Sequence, residues 1–176
     1  PFGRLHGLDP SLAALEWCER EHPGAQHLVC AGGENLPFQS KSFDLVIMLD
    51  VLEHIEADEA SLRECYRILR SGGLLVVTVP AFQWLWGAHD ERYGHVRRYT
   101  VAEIRQKLER SAFVVDHVSY IEWIFTLPLW IIRNVKRLFS ATAKRDDFVR
   151  VPAWLNQLLT KIITMETAWV KKHTMP

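Results

Sequence analysis

Residues 42–55 read SFDLVIMLDVLEHI. Within them Phe43 to Leu49 is an almost unbroken apolar run, closed by Asp50. A half-exposed strand alternates apolar and polar side chains. A run without alternation is expected of a strand buried on both faces of a parallel sheet. A second run, LLVVTVP from Leu74, follows after roughly 24 residues, enough for a helical crossover. DEASLRECYRILR lies between them and places Leu62, Cys65, Ile68 and Leu69 on one helical side. Ser71-Gly72-Gly73 behind it is a helix stop signal. Strand, helix, strand at this spacing is a right-handed crossover unit. It predicts an α/β fold with a parallel sheet flanked by helices.

The pattern extends in both directions. Upstream, RLHGLD reads as the end of a strand and AQHLVCA as another short strand. Between them DPSLAALEWCEREH reads as a helix, with Asp9 at its N-cap and Pro10 at the first helical position. Downstream, Thr100-Val-Ala-Glu103 is a capping box that opens a helix, and FVVDHVSYI reads as a further strand. We divide the chain into a core over 1–119 and a helical hydrophobic tail over 120–176.

The bulk numbers set limits. The 176 residues are 48% apolar, enough for one domain's core, and formal net charge is zero. The charge is unevenly placed. Residues 1–132 carry 12 basic and 18 acidic side chains, and residues 133–176 carry 9 and 3. A basic tail with long aliphatics and tryptophans points to an anionic surface, membrane before nucleic acid. Cys18, Cys30 and Cys65 are scattered and form no CxxC pair, which supports neither a zinc ribbon nor a disulfide framework. A reducing, cytoplasmic compartment is the natural reading.

In an open parallel sheet, ligands bind beyond the carboxyl ends of the strands. Those ends bring Asp9, the loop Gly32-Gly33-Glu34-Asn35-Leu36-Pro37, and Leu49-Asp50-Val51-Leu52-Glu53-His54. An acid closing a strand can accept both hydroxyls of a ribose, and glycine lets backbone N–H groups approach a flat base. Asp50 and His54 are four apart and share a face if a helical turn starts there.

The ordered series GLDPS, GENLPF, SFDLVIMLDVLEHI and ECYRILRSGGLLVVTVP resembles the class I S-adenosylmethionine-dependent methyltransferases. The likeness is to their small-molecule branch, which includes ubiquinone-biosynthesis O-methyltransferases, and covers roughly residues 3–120. The resemblance implies a Rossmann-like sheet, S-adenosylmethionine as cofactor, and methyl transfer to a small or lipid-like acceptor, oxygen favoured. It places Asp9 on the cofactor ribose, and Gly33, Glu34, Asn35 and Leu36 around the adenine. Leu49 and Asp50 would line the methionine end, with Glu53 and His54 facing the methyl or the acceptor. The adenine-binding Asp of that family falls on Gly32 here. The resemblance also implies a first strand with a glycine-rich loop before Pro1 and a last strand after HTMP. On that reading the chain is an internal segment. Two alternatives stay open: a non-catalytic module of the same fold that binds a partner or membrane, and a dinucleotide-dependent oxidoreductase.

The densest polar stretch is WGAHDERYGHVRRYT, residues 86–100. The spacing between His89 and His95 matches no common tight metal-ligand pattern, so no metal is assigned. If the acceptor is a hydroxyl that must lose a proton, His54, His89 and His95 are the candidate bases. Trp84 and Trp86 follow a strand end and are candidates to line an apolar acceptor. Arg97 and Arg98 are candidates for an anionic acceptor, or for salt bridges to acids such as Asp90 or Glu91. In the tail, IEWIFTLPLWIIRNVKRLF has an apolar core of about 13 residues broken by Pro128, short of the ~20 a bilayer needs. PAWLNQLLTKIITMETAWVKK reads as a strong amphipathic helix suited to capping the core or lying on a membrane.

Overall fold

The computed structural model describes residues 3–24, 27–121, 126, 130 and 152–170. The expectations for the segment from Ile121 to Phe139 fall largely outside them. The chain forms two compact units. Residues 1–79 and 107–113 make the first, and 80–106 with 114–176 make the second.

The first unit holds the crossover elements. Strand β1 (Gly7–Asp9) pairs in parallel with β2 (Leu28–Cys30) through helix α1 (Leu12–Glu21). Strand β3 (Phe43–Leu49) pairs in parallel with β4 (Leu69–Thr78) through α2 (Asp58–Ile68). The α/β class is therefore observed. The four strands form two separate two-stranded ladders among the described residues. Leu52, Leu62, Cys65, Ile68 and Leu69 are the best-buried apolar side chains of this unit. The last four are the stripe read from the sequence.

Four local expectations need correction. The N-cap of α1 is Ser11, whose hydroxyl accepts from the Ala14 N–H, while Asp9 accepts from the Ser11 N–H at 2.7 Å. Asp9 thus braces the entry to the helix from one step outside it. Second, α2 ends at Ile68, and Ser71-Gly72-Gly73 lies inside β4. Phe43 pairs with Leu69 but Leu45 with Leu74, so residues 70–73 bulge out of the ladder. Gly72 takes φ +76° there, a conformation costly for any side chain.

Third, β3 is not covered on both faces. Met48 is buried, but Leu45, Ile47 and Leu49 are 45–57% exposed. Alternate side chains point to opposite faces, and only the Met48 face packs against α2, where Met48 Sδ lies 3.5 Å from Cys65 Sγ. Fourth, FVVDHVSYI forms no strand. No described strand offers it a ladder partner, and Val114 is 88% exposed.

Among the described residues, the second unit includes two short helices and a longer one. Helix α3 is Ala88–Tyr93, and α4, Val101–Arg110, runs from the second unit into the first. The capping box forms as read: Glu103 accepts from the Thr100 N–H at 2.7 Å, and the Glu103 N–H donates to the Thr100 hydroxyl at 3.3 Å. Helix α5 (Ala153–Val170) matches the amphipathic tail segment. Among the described residues, no helix is long and apolar enough to cross a membrane.

Candidate functional site

In the first unit the candidate residues sit at the carboxyl ends of parallel strands. Asp9 is the last residue of β1, half-buried, with Oδ1 engaged by the Ser11 N–H. The other carboxylate oxygen is available to a ligand hydroxyl. Asp50 directly follows β3 in a left-handed backbone, φ +52°. Its N–H donates to the carbonyl and the hydroxyl of Thr78, both at 3.1 Å, and the Thr78 hydroxyl donates to Asp50 Oδ1 at 3.1 Å. Thr78 ends the neighbouring strand, so two strand ends are tied together at one acid. A non-glycine residue in this region costs about 1–3 kcal/mol and is held only where the surroundings dictate it.

The loop after β2 is fastened to α2 by contacts not legible in the motif. Ideal Cβ placement at Gly33 would strike Ile55 Cδ1 at 2.8 Å and Ser61 Oγ at 2.9 Å. Glycine is needed there for close approach to the helix. Glu64 Oε2 accepts from the Leu36 N–H at 2.9 Å. Arg67 donates to the carbonyls of Leu36 and Phe38, each at 2.8 Å, and to both oxygens of Glu64. Leu36 is buried, whereas Glu34 and Asn35 are exposed. The Arg67 hydrogen bond holds the Glu64 carboxyl below its usual range, and the same bond raises Arg67.

Beyond Asp50 the chain turns through a single 3-10 turn, Leu52–His54. Asp50 lies outside it, so the shared helical face read for Asp50 and His54 does not form. Glu53 is fully buried and His54 exposed.

In the second unit two of the remaining candidates, His95 and Arg98, meet at a buried acid. Asp90 is completely inaccessible. It accepts from the Gly87 N–H at 2.8 Å and from Arg98 Nε and Nη2 at 2.8 and 3.1 Å. His95 Nδ1 lies 2.9 Å from Asp90 Oδ1. An ionised carboxylate only accepts, so that nitrogen carries the proton. Burial raises the Asp90 pKa, but the hydrogen bonds from Arg98, Gly87 and His95, with the guanidinium charge, hold it below the ordinary range. Arg98 also donates to the Ala81 carbonyl at 3.0 Å, and Ala81 bridges Tyr99. The guanidinium therefore works as an internal brace of residues 81–99.

The His89 and Tyr93 rings meet at a tilt of 40°, with centroids 4.5 Å apart. Trp84 is 55% exposed and stacks on Phe82, which stacks in turn on Tyr120 at 4.7 Å. Tyr120 accepts from the Val101 N–H. Trp86 is half-buried and Arg97 partly so. Glu64, Arg67, Ser61 and Thr78 were not found from sequence. An acid and an arginine three apart on a helix are too common to signal a clamp.

The fold is a Rossmann-like α/β fold with acids at the carboxyl ends of two of its parallel strands. Residues 1–77 match the methyltransferase domain family model. A probable S-adenosylmethionine-dependent methyltransferase of Mycolicibacterium smegmatis is 31% identical over 166 residues, covering 93% of this chain and 63% of the relative. A phthiotriol/phenolphthiotriol dimycocerosates methyltransferase of Mycobacterium ulcerans is 38% identical over 129 residues, covering 71% and 47%. The crystal structure of a SAM-dependent methyltransferase from Thermotoga maritima superposes with a TM-score of 0.53 at 27% identity, covering 62% and 55%. The chain thus spans between about half and two thirds of the length of these proteins. The chain is similar to S-adenosylmethionine-dependent methyltransferases over most of its length.

Proposed function

We propose that the protein transfers a methyl group from S-adenosylmethionine to a small-molecule or lipid-like acceptor, with oxygen favoured as the accepting atom. The observation that carries this reading is the pair of acids, Asp9 and Asp50, each at the carboxyl end of a parallel strand and each held by one carboxylate oxygen, Asp9 by the Ser11 N–H and Asp50 by the Thr78 hydroxyl. The donor set fits a nucleoside cofactor. Asp9 keeps one oxygen for a ribose, residues 33–36 form a braced loop suited to a base, and Leu49 with Asp50 supplies the third strand end. The cofactor supplies a methyl already activated on a sulfonium, so the protein's share is positioning and exclusion of water. If the acceptor is a hydroxyl, a base must take its proton. His95 is the histidine whose ring a buried carboxylate orients, which favours it alongside His54 and His89. The relative named for dimycocerosates supports a lipid-like acceptor. Exposed Trp84 on its aromatic stack suits an apolar one.

Isothermal titration of S-adenosylhomocysteine into the chain, and into Asp9→Asn, tests the reading. Binding weakened by the amide is expected. Absence of heat with the unaltered chain would leave a non-catalytic module of the same fold.

A second reading concerns the tail. On α5, Trp154, Leu158, Met165 and Trp169 are 67%, 48%, 72% and 47% exposed. At 100° per residue they share an arc of about 60°. Leu155, Leu159, Ile162 and Glu166 lie on the more covered side. The apolar arc is thus wider than the molecule covers. With the basic excess of residues 133–176, this supports peripheral contact with an anionic lipid surface. Vesicle flotation tests it: Trp154→Ser with Trp169→Ser should reduce recovery on anionic vesicles. Equal recovery of both forms in the soluble fraction rejects it.

A further inference from the structure

Phe38 packs on His6 and Phe43, while helix α2 braces one side of the loop after β2. Helix α2 fastens it at two levels, through Ser61 under Gly33 and through Glu64 and Arg67 around Leu36 to Phe38. The second level saturates the backbone. The Leu36 N–H goes to Glu64, the Leu36 carbonyl goes to Arg67, and the Phe38 carbonyl goes to the same guanidinium. The Phe38 N–H turns back to the Leu36 carbonyl at 2.8 Å. The Leu36 side chain is buried. Nothing polar at Leu36 is left for a ligand, whereas Gly32, Glu34 and Asn35 remain exposed.

We propose that Glu64 and Arg67 are positioning residues that hold the loop ready for a purine base, with recognition falling on residues 32–35. The inference rests on the nucleoside-cofactor reading above and deepens it. The physical reason is that an unbraced loop must be ordered on binding, at the expense of affinity. A planar guanidinium is suited to the task. It grips the Glu64 carboxylate in a fork and reaches two carbonyls from the same plane, which an ammonium cannot copy. Its neighbour Arg70 pairs with Asp44 at 2.6 Å and meets the loop at its far end, through the Ser42 carbonyl at 3.4 Å, away from residues 32–38, which makes it a control on the same stretch of chain.

The test compares the unaltered chain with Glu64→Gln, Arg67→Lys, Arg67→Gln and Arg70→Gln. Amide hydrogen exchange without ligand reports the clamp itself. Calorimetric titration with S-adenosylhomocysteine reports its consequence, and thermal melting reports general damage. Arg67→Gln should speed exchange at Leu36 and Phe38 and raise Kd about tenfold or more, the scale of losing a preorganised loop. Arg67→Lys should fall between, and Arg70→Gln should match the unaltered chain in both. Faster exchange with unchanged Kd in Arg67→Gln overturns the positioning role while leaving the cofactor reading intact. No binding by the unaltered chain overturns the cofactor reading, and with it the purine assignment. Unchanged exchange in a variant that still melts cooperatively overturns the clamp itself.

Discussion

Arg98 grips Asp90 with two nitrogens, Nε to Oδ1 at 2.8 Å and Nη2 to Oδ2 at 3.1 Å. The acid is wholly buried and the guanidinium nearly so. Removing one partner strands the other. Arg98→Met leaves a buried carboxylate with only His95 and the Gly87 N–H, and should cost about 3–5 kcal/mol. Asp90→Asn leaves a buried guanidinium and should cost a similar amount. Urea unfolding followed by tryptophan fluorescence measures both. The double variant should lose clearly less than the sum, since each single change already destroys the pair. Additive losses would show that the two side chains act independently.

The same pair sets an acid limit. The folded Asp90 pKa lies below its unfolded value, so the unfolded chain binds the proton more readily. The resulting stability is present above the ordinary carboxylate range, about pH 4, and is lost as pH falls through the folded value. Glu64 is shifted the same way by Arg67 and acts in the same window. Acid unfolding at fixed temperature should therefore begin below about pH 4, and Arg98→Met should move it upward. An unmoved acid midpoint in Arg98→Met would place the acid limit elsewhere.

Cys65 sits among the residues that close α2 onto β3. Burial, helped by the nearby Glu64 charge, pushes its thiol up to about 11, while Cys30 is exposed. The thiolate is the reactive form. At pH 8 an alkylating reagent should label Cys30 readily and Cys65 only after unfolding. Intact-mass spectrometry with peptide mapping reads this directly. Labelling of Cys65 at the rate of Cys30 would show that the α2–β3 packing is loose.

The runs Phe43–Leu49 and LLVVTVP formed parallel strands, although Leu45, Ile47, Leu49, Leu74 and Val76 stay 45–57% exposed. The Thr100–Glu103 box formed because both its bonds are local. Residues 113–121 had strand-like composition, yet strand formation needs a partner edge that composition does not encode. The Ser71-Gly72-Gly73 stop became a bulge because both uses of glycine rest on the same positive φ. The cap of α1 is Ser11 and not Asp9, since either acceptor suits a helix start. At the site, the strand-end acids were legible by topology. The Glu64–Arg67 clamp was not, because its partners are backbone groups 28–31 residues away.

Asp50 offers the sharpest separation of backbone from side chain. Its φ of +52° is a conformation that glycine takes without penalty, whereas its carboxylate accepts from the Thr78 hydroxyl. Asp50→Ala keeps the strain and removes the hydrogen bond. Asp50→Gly removes both. The glycine variant should therefore be about 1 kcal/mol more stable than the alanine variant. Both should bind S-adenosylhomocysteine more weakly than the unaltered chain, since neither presents an acid at the end of β3. Thermal melts order the two variants, and calorimetry ranks their affinities. If the glycine variant is the less stable of the two, the left-handed backbone at residue 50 is not a source of strain. If both bind as the unaltered chain does, the acid closing β3 holds the two strand ends together and has no share in the cofactor site.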